Sequence, residues 1–110
     1  MSTTSQTLKI QLLQSMDFFK LLDSKTIEAL ALESEEITLD PYEVLFKEGE
    51  PGDSMFVVLS EALAVEREDA VIAKKVDGDH VGEMALIESR PRVATVKVLS
   101  KTSLLKLSKR

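Results

Sequence analysis

Residues 81–95 read Val-Gly-Glu-Met-Ala-Leu-Ile-Glu-Ser-Arg-Pro-Arg-Val-Ala-Thr. Within this stretch, residues 83–87 have the make-up of one helical turn, bounded by Gly82 and by the polar Glu88-Ser89-Arg90-Pro91. On either side the texture is different. Residues 36–39, 44–46, 55–59, 62–65, 71–76, 94–99 and 104–107 are short and rich in Val, Ile, Leu and Phe, which predicts strands. Between them stand Asp40-Pro41, the run Gly49-Glu50-Pro51-Gly52-Asp53 and Asp77-Gly78-Asp79, combinations that favour turns. Strands at such short intervals predict a sandwich or barrel, and the helical turn interrupts that sheet at one place.

Upstream of the strands the period changes. Leu8, Leu12, Leu13, Met16, Phe19 and Leu22 recur at helical spacing, with Asp17 dividing the run into a helix and a short second turn. Asp23-Ser24 supplies an N-cap for a further helix carrying Ile27, Leu30 and Ala31 on one face. Residues 1–7 are polar and read as a flexible tail, leaving 8–110 as one domain without internal repeats or low-complexity segments.

Composition bounds the function. A chain of 110 residues, 44% hydrophobic and 30% charged, can bury one core and is too short for two. Cysteine is absent, which removes disulfides, thiolate metal sites and cysteine nucleophiles and fits a cytoplasmic protein. There is no apolar run of the ~20 residues that span a bilayer and no export pattern at the N-terminus. A formal charge of −5 argues against direct nucleic-acid binding, which needs many Lys and Arg contacts to phosphates. It does not exclude a small anion, because a few close cations and N–H donors outweigh distant, screened charges.

The stretch 81–95 holds the parts of such an anion cradle. Gly82 lets backbone approach a ligand, and the first turn of a helix offers N–H groups without intrahelical partners, here those of Met84 and Ala85. Arg92 adds a permanently charged fork for phosphate oxygens, and Glu83 can accept from a sugar hydroxyl. Alone, such a Glu and Arg would make a surface ion pair of little consequence. Together with the glycine and the helical turn they suit a sugar phosphate.

This cassette closely resembles that of the cyclic nucleotide-binding domain family, which runs Phe-Gly-Glu-(Leu/Met)-Ala-Leu, a short variable stretch, then Pro-Arg-(Ser/Ala)-Ala-Thr. Val44-Leu-Phe-Lys-Glu-Gly-Glu-Pro-Gly-Asp-Ser-Met-Phe-Val-Val-Leu-Ser60 resembles the family's second signature, and Met16-Asp-Phe-Phe-Lys-Leu-Leu-Asp23 its N-terminal helical segment. The resemblance implies a mainly β double-stranded β-helix, a jelly-roll of cupin-like shape with N-terminal helices. It implies that Glu83 binds the ribose 2′-hydroxyl, that Arg92 binds the cyclic phosphate, that Gly82 permits close approach, and that Ala85 and Val93 give backbone N–H groups. Leu86, Val71 and Met84 would line the pocket or pack beneath it. Thr95 either supports the site or is a strand residue with a local hydrogen bond, and Arg90 reads as a solvated loop charge.

Departures from the family pattern are informative. Val81 stands where the family has Phe, and Glu61-Ala62 where it places a glycine suited to a tight turn, so that turn is expected to be irregular. Val93 lacks the hydroxyl found in cGMP-preferring members, which favours cAMP, with cGMP the alternative. The family's C-terminal helix, which closes over the base and relays binding, would lie beyond Arg110, so the base is expected to be exposed. A transcription regulator, a kinase or a channel could each supply the fused effector.

No enzyme is expected, because the single His80 has no evident Ser partner and the acidic residues form no acid–base motif. His80 reads as a turn residue, and one histidine cannot build the multi-histidine site of a cupin-like metalloenzyme, so neither metal nor cofactor is expected. Gly49-Glu50-Pro51-Gly52-Asp53 lacks the Gly-Lys-Ser/Thr ending of a nucleotide-hydrolysing loop and reads as a turn between strands. The chief rival function is a regulatory module that kept the roll and lost the nucleotide.

Overall fold

The computed structural model describes residues 5–83 and 91–108. Two helices open the chain, α1 (Gln6–Ser15) and α2 (Ser24–Glu33), joined by a single 3-10 turn (Asp17–Phe19). Ser5 caps α1 by accepting from the Leu8 N–H, so the helix begins two residues before the expected Leu8. Asp23 caps α2 as its position predicted, accepting from the Thr26 N–H at 2.8 Å.

Among the described residues eight strands follow: β1 (Glu35–Leu39), β2 (Val44–Phe46), β3 (Ser54–Ser60), β4 (Ala62–Arg67), β5 (Ala70–Val76), β6 (His80–Val81), β7 (Thr95–Val98) and β8 (Thr102–Ser108). They form two four-stranded antiparallel sheets, ordered β1-β8-β3-β6 and β2-β7-β4-β5. Seven strands coincide with the apolar segments of the sequence. The eighth, β6, escaped the sequence reading because it is only two residues long, pairing Val81 with Phe56 and His80 with Val57.

The pattern of β3 explains the layering. Met55 and Val57 face a core shared with Leu13, Met16, Phe19, Ile27 and Ala31 of the helical segment. Phe56 and Val58 face the opposite way, into a second core with Leu63, Val81, Val96 and Val98. The first sheet is thus covered on both faces, by helices outside and by the second sheet inside, and its strand β3 reads as a continuous apolar run from Met55 to Leu59. Strand β8 repeats the division: Leu104 enters the core between the sheets, whereas Leu105 and Leu107 face the helices. Each such side chain contributes about 1.5–3 kcal/mol on burial.

The turn at Glu61 is irregular in the way the missing glycine predicts. Its φ of 72° lies in the left-handed region, which a Cβ disfavours.

Candidate functional site

Strands β5, β4, β7 and β2 lie side by side, and their register places Ala73 opposite Val65, Val65 opposite Val96, and Val96 opposite Phe46. This row crosses the inner face of the second sheet and forms the apolar floor of a cavity of about 320 Å³. Val81, Gly82 and Glu83 line it from the end of β6, and Pro91, Arg92, Val93 and Ala94 from the approach to β7. Lys75 and His80 complete the polar lining. The volume falls at the lower end of the range of small-molecule pockets, whose usual make-up is likewise apolar walls with a few convergent polar groups.

Arg92 is the most constrained of these residues. Its backbone N–H donates to Glu50 O and its carbonyl accepts from the Gly49 N–H, both at 2.7 Å, and Pro51 bridges to Pro91. The segment between β2 and β3 therefore does more than connect strands, since it zips onto the backbone of Arg92. Above that anchor the guanidinium stacks on Phe46, with Cζ 4.0 Å from the ring centroid, and Nη2 donates to Ser54 O at 2.9 Å. Two glycines make room for it: a Cβ on Gly52 would stand 2.5 Å from Nε, and one on Gly82 2.6 Å from Nη1.

A buried donor of this fork, Nε, has no partner among the described residues, a condition that costs about 1–3 kcal/mol where nothing satisfies it. Burial presses the guanidinium below its ordinary pKa, and the charges of Asp53 and Glu50 oppose that shift. The group remains cationic, since arginine has so much margin above neutral pH.

Glu83 lies across the same cavity and is held by His80, whose Nδ1 is 2.9 Å from Oε1. The reading of His80 as a turn residue is corrected here: it belongs to β6, pairs with Val57 and lines the site. Lys75 was also missed. Its position on β5, at two-residue spacing from Ala73, was the available signal for an inward-facing side chain.

Of the residues singled out from sequence, Gly82, Glu83, Arg92 and Val93 are thus brought together around one cavity. Val71 is not among its lining residues and is 63% exposed. The β4–β5 register sets Ala73 opposite Val65, and past a bulge between Val65 and Glu66 it sets Val71 opposite Glu66, beyond the cavity. Thr95 sits outside the lining, where its Oγ1 accepts from the Glu48 N–H at 3.0 Å and ties β7 to the segment that anchors Arg92. Met84, Ala85, Leu86 and Arg90, with the expected helical turn, lie outside the described residues. Among the described residues no cluster of three or more His, Asp or Glu is arranged to hold a metal, and no helix is long and apolar enough to cross a membrane.

Comparison with known proteins gives a consistent set of relatives. The cyclic nucleotide-binding domain pattern matches residues 36–110. A cGMP-dependent protein kinase of Caenorhabditis elegans is 35% identical over 91 residues, which cover 83% of this chain and 12% of the kinase. The chain therefore spans only a small part of that relative's length. Among solved structures, the regulatory domain of Toxoplasma gondii PKA, crystallised with cAMP, superposes with a TM-score of 0.88 at 26% identity, covering 97% of this chain and 43% of the other. The regulatory subunit of a cAMP-independent protein kinase A from Trypanosoma brucei gives the same TM-score at 23% identity, covering 98% and 40%. Fold alone thus fails to distinguish a cAMP-bound from a cAMP-independent relative, and the cavity's own side chains must carry the reading of ligand.

Proposed function

Because this chain belongs to the cyclic nucleotide-binding domain family, we propose that it is a non-catalytic sensor whose ligand is cAMP and whose bound state is relayed to a partner or fused effector. The observation that carries the reading is the pairing, across one apolar-floored cavity, of a guanidinium with an orphaned donor and a carboxylate. Arg92 takes the cyclic phosphate through a charge-assisted fork, and Glu83 accepts from the ribose 2′-hydroxyl. Gly82 admits the ligand's close approach, and the backbone N–H of Val93, with those of Met84 and Ala85, adds donors to the phosphate. The base lies over the apolar floor, with Val93 offering no hydroxyl to a guanine.

Signalling follows from differential affinity. A ligand shifts an equilibrium only as far as it prefers one conformation, so phosphate binding must favour the arrangement in which the cassette turn is drawn towards the roll. The relative from C. elegans is a cGMP-dependent kinase, which makes cGMP the competing ligand to test.

The experiment is calorimetric titration with cAMP and cGMP, with Arg92→Ala in parallel. Heat with cAMP, weaker heat with cGMP and none with Arg92→Ala at an unchanged melting temperature support the proposal. Tighter binding of cGMP reverses the choice of ligand. Absence of heat with either nucleotide makes the domain a roll that has lost its ligand.

A further inference from the structure

Glu83 follows His80 by three residues, and along a continuous strand two such side chains would point to opposite faces. Here β6 ends at Val81, and Gly82 turns the chain with a φ of 78°, so that the Glu83 carboxylate returns to His80. As a carboxylate Glu83 only accepts, so at 2.9 Å the proton of this bond belongs to His80 Nδ1. One oxygen is engaged in this way, and among the described residues the other has no partner, which leaves its acceptor capacity to a ligand. His80 is itself restrained. Its ring lies 5.7 Å from that of Phe18, which meets Phe19 edge-to-face at 5.0 Å, and Phe19 is buried in the core beneath the helices.

From this chain of contacts we infer that His80 is a positioning residue for Glu83, fixing the carboxylate for sugar recognition, and that Phe18 extends this support to the N-terminal helical segment. The inference rests on the reading of Glu83 as the ribose acceptor. A free glutamate side chain samples many rotamers, and binding must select one of them. Holding it in place beforehand removes that entropic cost, which corresponds to an affinity gain of about fivefold to tenfold. The gain exists only for ligands that present the hydroxyl.

That restriction supplies the test. The full chain is titrated with cAMP and with 2′-deoxy-cAMP, which lacks the hydroxyl, in wild type, Glu83→Ala, His80→Leu, His80→Asn and Phe18→Ala. Leucine keeps an apolar contact for Phe18 while removing the donor, and asparagine offers an amide N–H close to the place of Nδ1. Expected is a fivefold to tenfold loss for cAMP in His80→Leu, little change for 2′-deoxy-cAMP, substantial recovery in His80→Asn, and a smaller cAMP-selective loss in Phe18→Ala. Equal weakening of both ligands in His80→Leu reduces His80 to packing and overturns the inference, as does no weakening at all. A wild type that fails to discriminate between the two ligands, or a Glu83→Ala variant that still does, removes the ribose assignment itself, so the two failures are separable.

Discussion

The guanidinium of Arg92 occupies the space that a side chain on residue 52 would fill: a Cβ there would stand 2.5 Å from Nε and 2.6 Å from Cζ. The binding group is therefore placed by an absence in a neighbouring loop as much as by its own hydrogen bonds. Because Gly52 is outside the left-handed region, alanine suits its backbone, and the atoms it would strike belong to a side chain able to move.

Gly52→Ala is accordingly expected to shift the melting temperature by only a few degrees while weakening cAMP binding tenfold or more, about 1.4 kcal/mol. Gly82→Ala should behave differently. Its φ of 78° and a Cβ contact of 3.2 Å to Ser54 O strain the backbone itself, so stability and binding fall together. Parallel calorimetry and thermal melts separate the two cases, and equal binding by Gly52→Ala and wild type would falsify the seat assigned to residue 52.

Glu61 holds a left-handed φ of 72° at the turn between β3 and β4, offset by a 3.1 Å hydrogen bond accepted from the Ser100 hydroxyl on an exposed surface. The strain is worth about 1–2 kcal/mol and an exposed bond of this kind less, so Glu61→Gly is expected to stabilise the fold by about 1 kcal/mol. The corresponding rise in melting temperature is about 4–8 °C, measurable by thermal denaturation. Ligand affinity should stay unchanged, since Glu61 is not among the cavity-lining residues.

Leu104 and Leu105 are adjacent on β8 and fully buried, yet they serve different cores. Truncating either to alanine is expected to cost about 2–5 kcal/mol. Only Leu104 belongs to the core beside the cavity floor, shared with Val96 and Val81, so Leu104→Ala should also weaken cAMP binding, whereas Leu105→Ala should loosen the helices. Binding measurements together with hydrogen exchange across α1 and α2 distinguish the two.

Asp23 titrates below its ordinary value of 3.8, chiefly because its carboxylate accepts from the Thr26 backbone N–H and is stabilised in the charged form. A depressed folded-state pKa contributes stability that is complete above the unfolded value and is lost as pH falls through the folded one. Wild type should therefore melt above Asp23→Ala at neutral pH, with the gap closing below about pH 3.8. Asp23→Asn keeps a capping oxygen and should show little of this pH dependence. Thermal melts across that range check the sign.

The sequence by itself determined a mainly β chain with a helical opening, and its resemblance to one family implied the roll and the cassette. The first two are legible because they rest on local regularities: a change of hydrophobic period at the start of β1 and turn residues at short intervals. The strained turn at Glu61 was legible through the same resemblance, since the family pattern places a glycine where this chain has none. Tertiary structure alone decided which side chains meet. The register that puts Ala73, and not Val71, in the row with Val65 arises from pairing between β4 and β5. The seat of Arg92 on Phe46, Ser54 and Gly52 joins residues some forty positions apart. His80 was read as a turn residue because two residues of strand carry no detectable period, and its value depends on Gly82 folding Glu83 back towards it. Periodicity reports which face a residue occupies, whereas a binding site is made by register, bulges and the space that glycines leave, and these exist only once the chain has closed on itself.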